Sequence, residues 1–131
     1  MTRYIALVDG EPGAYGVVIP DCPGCYGMGD TIEDALDNAA EGLRDWMEAI
    51  EAGGGSAPVP RSVEAIRAEA EAPDATFATV PLIRHLGRPV KANLSLDSGV
   101  LAAIDATAGR LGVTRSAMVE MLAKSGLPSF G

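Results

Sequence analysis

Cys22-Pro23-Gly24-Cys25 is a C-x-x-C, a spacing that can serve a redox dithiol or supply two ligands of a zinc site. A thioredoxin-like dithiol places its first cysteine at a helix start, whereas this pair falls between two expected strands. A zinc site needs further ligands, and the sequence offers one histidine, His85, and no other cysteine. The remaining reading is a Pro-Gly turn whose cysteines act as small apolar fillers. No metal and no cofactor is expected. The carboxylates Asp9, Asp21, Asp30, Glu33 and Asp34 form a second candidate group. Two-metal hydrolysis would need several of them to converge on ions about 3.5–4 Å apart. Turn and helix-start chemistry accounts for each one singly. His85 sits in a polar stretch without a triad partner, so no catalytic residue is expected.

A third group lies between residues 91 and 116. In Lys91-Ala92-Asn93-Leu94-Ser95-Leu96 the side chains alternate, so a strand here would put Lys91, Asn93 and Ser95 on one face and the apolar residues on the other. A lone strand with a polar face needs a second strand to pair with. Asp97 then leads an apolar helical run to Leu111. Gly112 suits a helix end, and Thr114 suits the cap of a second helix running to Leu122. That second helix start would aim the N–H groups of Arg115 and Ser116 outward, where a phosphate could accept them. Helix capping alone is the ordinary reading of the same residues. The strand-helix-turn-helix order resembles the ribbon-helix-helix module, in which two chains pair strands into a ribbon lying in the DNA major groove. The resemblance implies DNA contacts from Lys91, Asn93, Ser95, Thr114, Arg115 and Ser116. It also implies a dimer core of Leu94, Leu96, Leu101, Ile104, Leu111, Met118 and Leu122.

Charge divides the chain in the same place. Residues 1–75 hold 15 Asp/Glu against 4 Lys/Arg, a balance of −11, and residues 76–131 hold 3 against 6, a balance of +3. A phosphate backbone would be repelled by the first part and tolerated by the second. A hydrophobic content of 47% is enough for a packed core, and no apolar run reaches the length of a membrane span. Met1-Thr2-Arg3-Tyr4-Ile5 lacks the apolar region of a signal peptide, so a cytoplasmic protein with reduced thiols is expected.

The elements that must carry these groups follow from pattern. Tyr4 to Val8 reads as a strand buried on both faces, followed by an Asp9–Gly13 turn and a second strand from Tyr15 to Ile19. A short third strand spans Cys25 to Met28. Thr31 caps a long helix in which Leu36, Ala39, Ala40, Leu43, Met47 and Ile50 keep helical spacing until Gly53-Gly54-Gly55 ends it. Its acidic face, Glu33, Asp37, Glu41, Asp45 and Glu48, is either solvated or turned to a partner. Trp46 is either a packing residue or a binding anchor. Ser62 starts a short helix to Ala70, broken at Ala72-Pro73-Asp74. Thr76 to Leu82 is a fourth strand, placed at a sheet edge by Pro81.

The run Tyr15-Gly16-Val17-Val18-Ile19-Pro20-Asp21-Cys22-Pro23-Gly24-Cys25, then Gly29-Asp30-Thr31-Ile32-Glu33-Asp34-Ala35, resembles the N-terminal domain of HicB antitoxins. An alanine-rich helix with Trp46 and the Pro58-Val59-Pro60 element continue the likeness over residues 3 to 60. Members of that family end in a helix-turn-helix or a ribbon-helix-helix module, and residues 90–125 are similar to the second. The resemblance implies a β-β-β-α-β domain likened to a degenerate ribonuclease H fold. It also implies a partner, the small basic mRNA-cleaving toxin HicA.

The expected protein is α+β, with a toxin-binding domain over residues 1–83, a linker over 84–89 and a dimeric DNA-binding module over 90–131. It would neutralise a HicA-type toxin, with Glu33, Asp37, Glu41, Asp45, Trp46 and Glu48 as candidate contacts, and bind operator DNA to repress its own operon. Its partners would be the toxin, the operator and a second copy of itself, with no membrane. Two alternatives remain open: a regulator with a ligand-sensing N-domain and no toxin, and a weak metal-dependent nuclease.

Overall fold

The β-forming segments near the N-terminus combine into one antiparallel sheet in the computed structural model, which describes residues 1–70, 74–84 and 86–130. Strands β1 (Arg3–Glu11), β2 (Ala14–Val18), β3 (Tyr26–Gly29) and β4 (Thr76–Pro81) lie in the order β3-β2-β1-β4. Tyr4 stands opposite Val80, Ala6 opposite Ala78, and Val8 opposite Val17, so these side chains share one face. Helix α1 (Ile32–Ala52) packs on that face through Ala35, Ala39, Leu43 and Met47, all buried at a four-residue spacing.

Small residues set how closely α1 approaches the sheet. A Cβ added to Gly27 would stand 2.3 Å from the Ala39 nitrogen and 2.5 Å from the Ala35 oxygen. The backbones of β3 and α1 therefore meet directly, which requires glycine on the strand and favours alanine on the helix. Thr31 caps α1 by accepting from the Asp34 N–H at 3.0 Å.

Polar contacts tie the connecting segments to this core. The Tyr4 hydroxyl donates to the Pro58 carbonyl at 2.7 Å, and Trp46 Nε1 donates to the Pro23 carbonyl at 2.9 Å. The Asp21 carboxylate accepts from the backbone N–H of Arg61 at 2.9 Å and from its Nε at 2.6 Å. Arg61 also reaches Glu69 on helix α2 (Val63–Glu69). The Asp21 side chain is 4% exposed, so this paired charge is what makes its burial affordable.

The chain divides into two compact units, Met1–His85 and Leu86–Gly131. The second holds α3 (Ser98–Leu111), α4 (Arg115–Gly126) and a 3-10 turn at Leu127–Phe130. Asp97 caps α3, accepting from the N–H groups of Gly99 and Val100. Gly112 ends it at φ +69°, a left-handed conformation suited to glycine. Thr114 caps α4 by accepting from Ala117 N–H.

Three expectations differ from what is observed. Strand β1 continues three residues past Val8, through the stretch read as a turn, and only Pro12 and Gly13 separate it from β2. Ladder pairing carries Asp9 and Glu11 in the strand, with Gly10 at φ +105°, where a Cβ would strike the Ala14 oxygen. Residues 91–96, read as a strand, carry no ladder in the single chain. A ladder needs a second strand, and this unit supplies none among its described residues. Helix α4 runs to Gly126, four residues past the expected end at Leu122, and the other segment limits fall within a residue of expectation. His85, Ala72 and Pro73 lie outside the described residues.

Candidate protein and nucleic-acid interfaces

The second unit is short of interior. Among its described residues only Ala108 and Met118 are buried apolar side chains. Leu94, Leu96, Ile104, Val119, Leu122, Ala123, Gly126, Leu127 and Phe130 instead line an open apolar groove of about 340 Å³. Leu94 is 66% exposed and Leu122 48%. Four of the expected dimer-core residues, Leu94, Leu96, Ile104 and Leu122, thus converge on this groove. Three do not line it: Met118 is buried within the unit, Leu101 is half-buried, and Leu111 is exposed. Sequence reading missed Val119, Ala123, Gly126, Leu127 and Phe130. The signal that could have found them is the three- and four-residue stepping from Val119 to Leu122 and Ala123, to Gly126 and Leu127, and to Phe130.

Lys91, Asn93 and Ser95 are all exposed, as are Thr114, Arg115 and Ser116. The guanidinium of Arg115 is engaged: Nε and one terminal nitrogen each donate to an Asp105 oxygen at 2.8 Å. This two-bond contact holds the Asp105 carboxyl below its ordinary range and raises the Arg115 guanidinium. The Arg115 side chain therefore links α3 to α4. The first-turn N–H groups of Arg115 and Ser116 have no acceptor within the helix, as at any helix start.

In the first unit the carboxylates of α1 form an exposed stripe, with Glu33, Asp37, Glu41, Asp45 and Glu48 all at the surface. Trp46 is half-buried, packs against the core and donates to Pro23, so it helps hold the 20–25 turn. Gly29, Asp30, Asp34, Asp37 and Asn38 border a shallow polar crevice at the start of α1. Among the described residues, no three His, Cys, Asp or Glu side chains converge in a group that could hold a metal ion. Asp21 is taken up by Arg61.

Cys22 and Cys25 close a tight turn in which the Cys25 N–H donates to the Cys22 carbonyl at 3.0 Å and Gly24 takes φ +89°. Both are free thiols, buried against α1. Burial pushes the Cys22 thiol up to about 12, and it raises that of Cys25 as well. A nucleophilic thiolate would need the opposite shift.

No helix among the described residues is long and apolar enough to cross a membrane. Fold and surfaces define a bipartite α+β protein, an acidic sheet unit with a filled core joined to a helical unit with an open apolar groove. The sequence model of the HicB-like antitoxin of bacterial toxin-antitoxin systems matches residues 4–123, and the chain belongs to that family. It is 30% identical over 104 residues to an uncharacterized 14.9 kDa protein of the rep-hol intergenic region of Haemophilus phage HP1, a match spanning 78% of each chain. Its structure is similar to that of the antitoxin HicB of Burkholderia pseudomallei, with a TM-score of 0.57 and 30% identity over 95% of this chain and 97% of that one. A chain of a HicA3–HicB3 toxin-antitoxin complex shares the fold over 63% of this chain and 99% of its own, at a TM-score of 0.53 and 20% identity.

Proposed function

We propose that this chain is an antitoxin that binds and blocks a HicA-type mRNA-cleaving toxin through residues 1–83 and represses its own operon through residues 90–131. The reading assigns no catalytic step to either unit and places the protein in the cytoplasm. Family membership supports the antitoxin role. The observation that carries the division of labour is the contrast between the units. The first is a filled, strongly acidic sheet domain, fit to meet a basic protein and unfit to lie on phosphates. The second has an uncovered apolar groove beside a segment, 91–96, that has no ladder partner in its own chain.

A second copy of the chain would answer both needs of that segment. Antiparallel pairing of residues 91–96 would form a two-stranded ribbon, and Leu94 and Leu96 would help close the groove. Lys91, Asn93 and Ser95 would then share the outer face, which is the ribbon-helix-helix arrangement. Lys91 and Asn93 carry groups that hydrogen-bond base edges in the major groove. The starts of α4 would offer N–H groups to the flanking phosphates. The first unit's fold supports the likeness to a degenerate ribonuclease H domain through its β-β-β-α-β order, with α2 inserted before β4.

The test is reconstitution. The full chain, mixed with a HicA-type toxin from its own genome, is expected to form a stable complex and suppress RNA cleavage. The same chain is expected to shift a DNA fragment from its own promoter. A full chain that leaves RNA cleavage unchanged at micromolar concentration contradicts the antitoxin reading.

A further inference from the structure

The sheet of the first unit has a second face, turned away from α1, and part of it is bare. Strand register places Tyr26, Val18, Leu7 and Phe77 in one row across this face, and Met28, Gly16 and Asp9 in the next. At the β4 end the row is covered: the Arg67 guanidinium of α2 lies 4.5 Å from the centre of the Phe77 ring. Ile5, on the same face of β1, is 9% exposed. At the β3 end Val18 is 50% exposed, Tyr26 64% and Met28 66%. Three large apolar side chains touching one another's register positions make a patch, which scattered surface residues do not.

We propose that this patch on β2 and β3 is where the basic toxin docks, rather than the acidic stripe of α1 on the opposite side of the sheet. The inference rests on the toxin-binding reading above. Interface centres favour aromatic and methionine side chains and lack charge, which describes Tyr26, Met28 and Val18 and does not describe the stripe. Gly16 carries no side chain between Met28 and Asp9, and a Cβ there would stand 3.5 Å from an Asp9 carboxylate oxygen, so the acidic group lies at the edge of the patch. Acidic groups border the patch, with Asp9 beside Gly16 and Glu11 two pairs further along. The balance of −11 over residues 1–75 opposes a second copy of this unit on the patch and favours a cationic partner. Asn38 Nδ2 donates to the Met28 carbonyl at 2.6 Å, so the chain itself occupies part of the β3 edge. Docking is therefore through the face of the sheet and not by adding a strand to its edge.

The experiment titrates the full chain with a HicA-type toxin from its own genome, by calorimetry, using two sets of variants. Tyr26→Ala and Met28→Lys are each expected to weaken binding by about tenfold or more, as for central interface anchors. Glu41→Lys combined with Asp45→Lys on α1 is expected to change it less, and mainly at low salt. Toxin binding in the wild type is also expected to slow hydrogen exchange at Tyr26–Gly29, which tests the site even if Tyr26→Ala unfolds. Full affinity in both patch variants, with loss in the α1 variant, overturns the patch and leaves the antitoxin reading standing. No change in exchange at β3 in a formed complex likewise overturns the patch alone. A change of oligomeric mass in the patch variants without toxin assigns the surface to a second copy and overturns the toxin assignment. No binding by the wild type overturns both readings.

Discussion

The two units solve the problem of burying apolar surface in different ways. The first fills its own interior. Tyr4, Ala6, Val8, Val17, Ile19, Leu43, Met47 and Val80 are buried together between sheet and helix, and side-chain hydrogen bonds from Tyr4 and Trp46 close the ends. The second buries Ala108 and Met118 and leaves Leu94, Leu96, Leu122, Leu127 and Phe130 around an open groove. A unit of about 45 residues has too little volume to shelter a core unaided. Similar apolar content thus gives one domain that is filled in a single chain and one whose groove stays open in a single chain, which the proposed second copy would close.

The sharpest way to break this contrast is to charge the groove. Leu122→Asp would place a carboxylate where the proposed second copy would close over it, and burying an unpaired charge costs roughly 3–5 kcal/mol by analogy with broken buried pairs. The expected outcome is loss of the dimer by light scattering and loss of operator binding, with the near-ultraviolet signal of Trp46 unchanged. The converse substitution acts inside the first unit. Leu43→Ala removes a fully buried side chain and should cost about 2–5 kcal/mol. Its thermal transition should fall by the same amount at every protein concentration, while the transition of the second unit stays concentration-dependent.

Smaller effects sharpen the roles within the second unit. Asn93→Ala should weaken operator binding by about 1–3 kcal/mol and random DNA by less, measured by fluorescence anisotropy. Arg115→Ala is expected to behave differently from a phosphate contact. Its guanidinium pairs with Asp105, so the loss should appear partly as looser packing of α3 on α4. The smallest expected effect is alkaline and confined to the first unit. Burial raises the Cys22 thiol to about 12 from an ordinary value of 9.0, so between those values the unfolded chain releases a proton that the folded chain keeps. Stability of the first unit should therefore be unaffected below pH 9 and decline as pH rises above it. Thiol-reactive dyes should label Cys22 and Cys25 only on unfolding.

Much of the first unit was legible because its signals are local. Apolar runs, Pro-Gly turns, the Thr31 cap and the three glycines after Ala52 each mark a boundary within a few residues. The extension of β1 through Asp9 and Glu11 was not legible, because cross-strand pairing with β2 overrides the turn preference of Asp9-Gly10. The half-bare outer face was not legible either. Val18, Tyr26 and Met28 look like ordinary strand residues until register places them in adjacent rows away from α1. In the second unit the caps at Thr114 and Gly112 were readable, while the engagement of Arg115 by Asp105 was not. Those residues are ten positions apart and meet only across the turn between helices.

The most direct test of the contrast is amide hydrogen exchange at residues 91–96 in the full chain, followed across protein concentration. The account predicts rising protection there as concentration rises, from a ladder formed with a second copy, while protection of Tyr4 to Val8 in β1 stays constant. Amides of 91–96 that exchange at the free-chain rate at every concentration would contradict it.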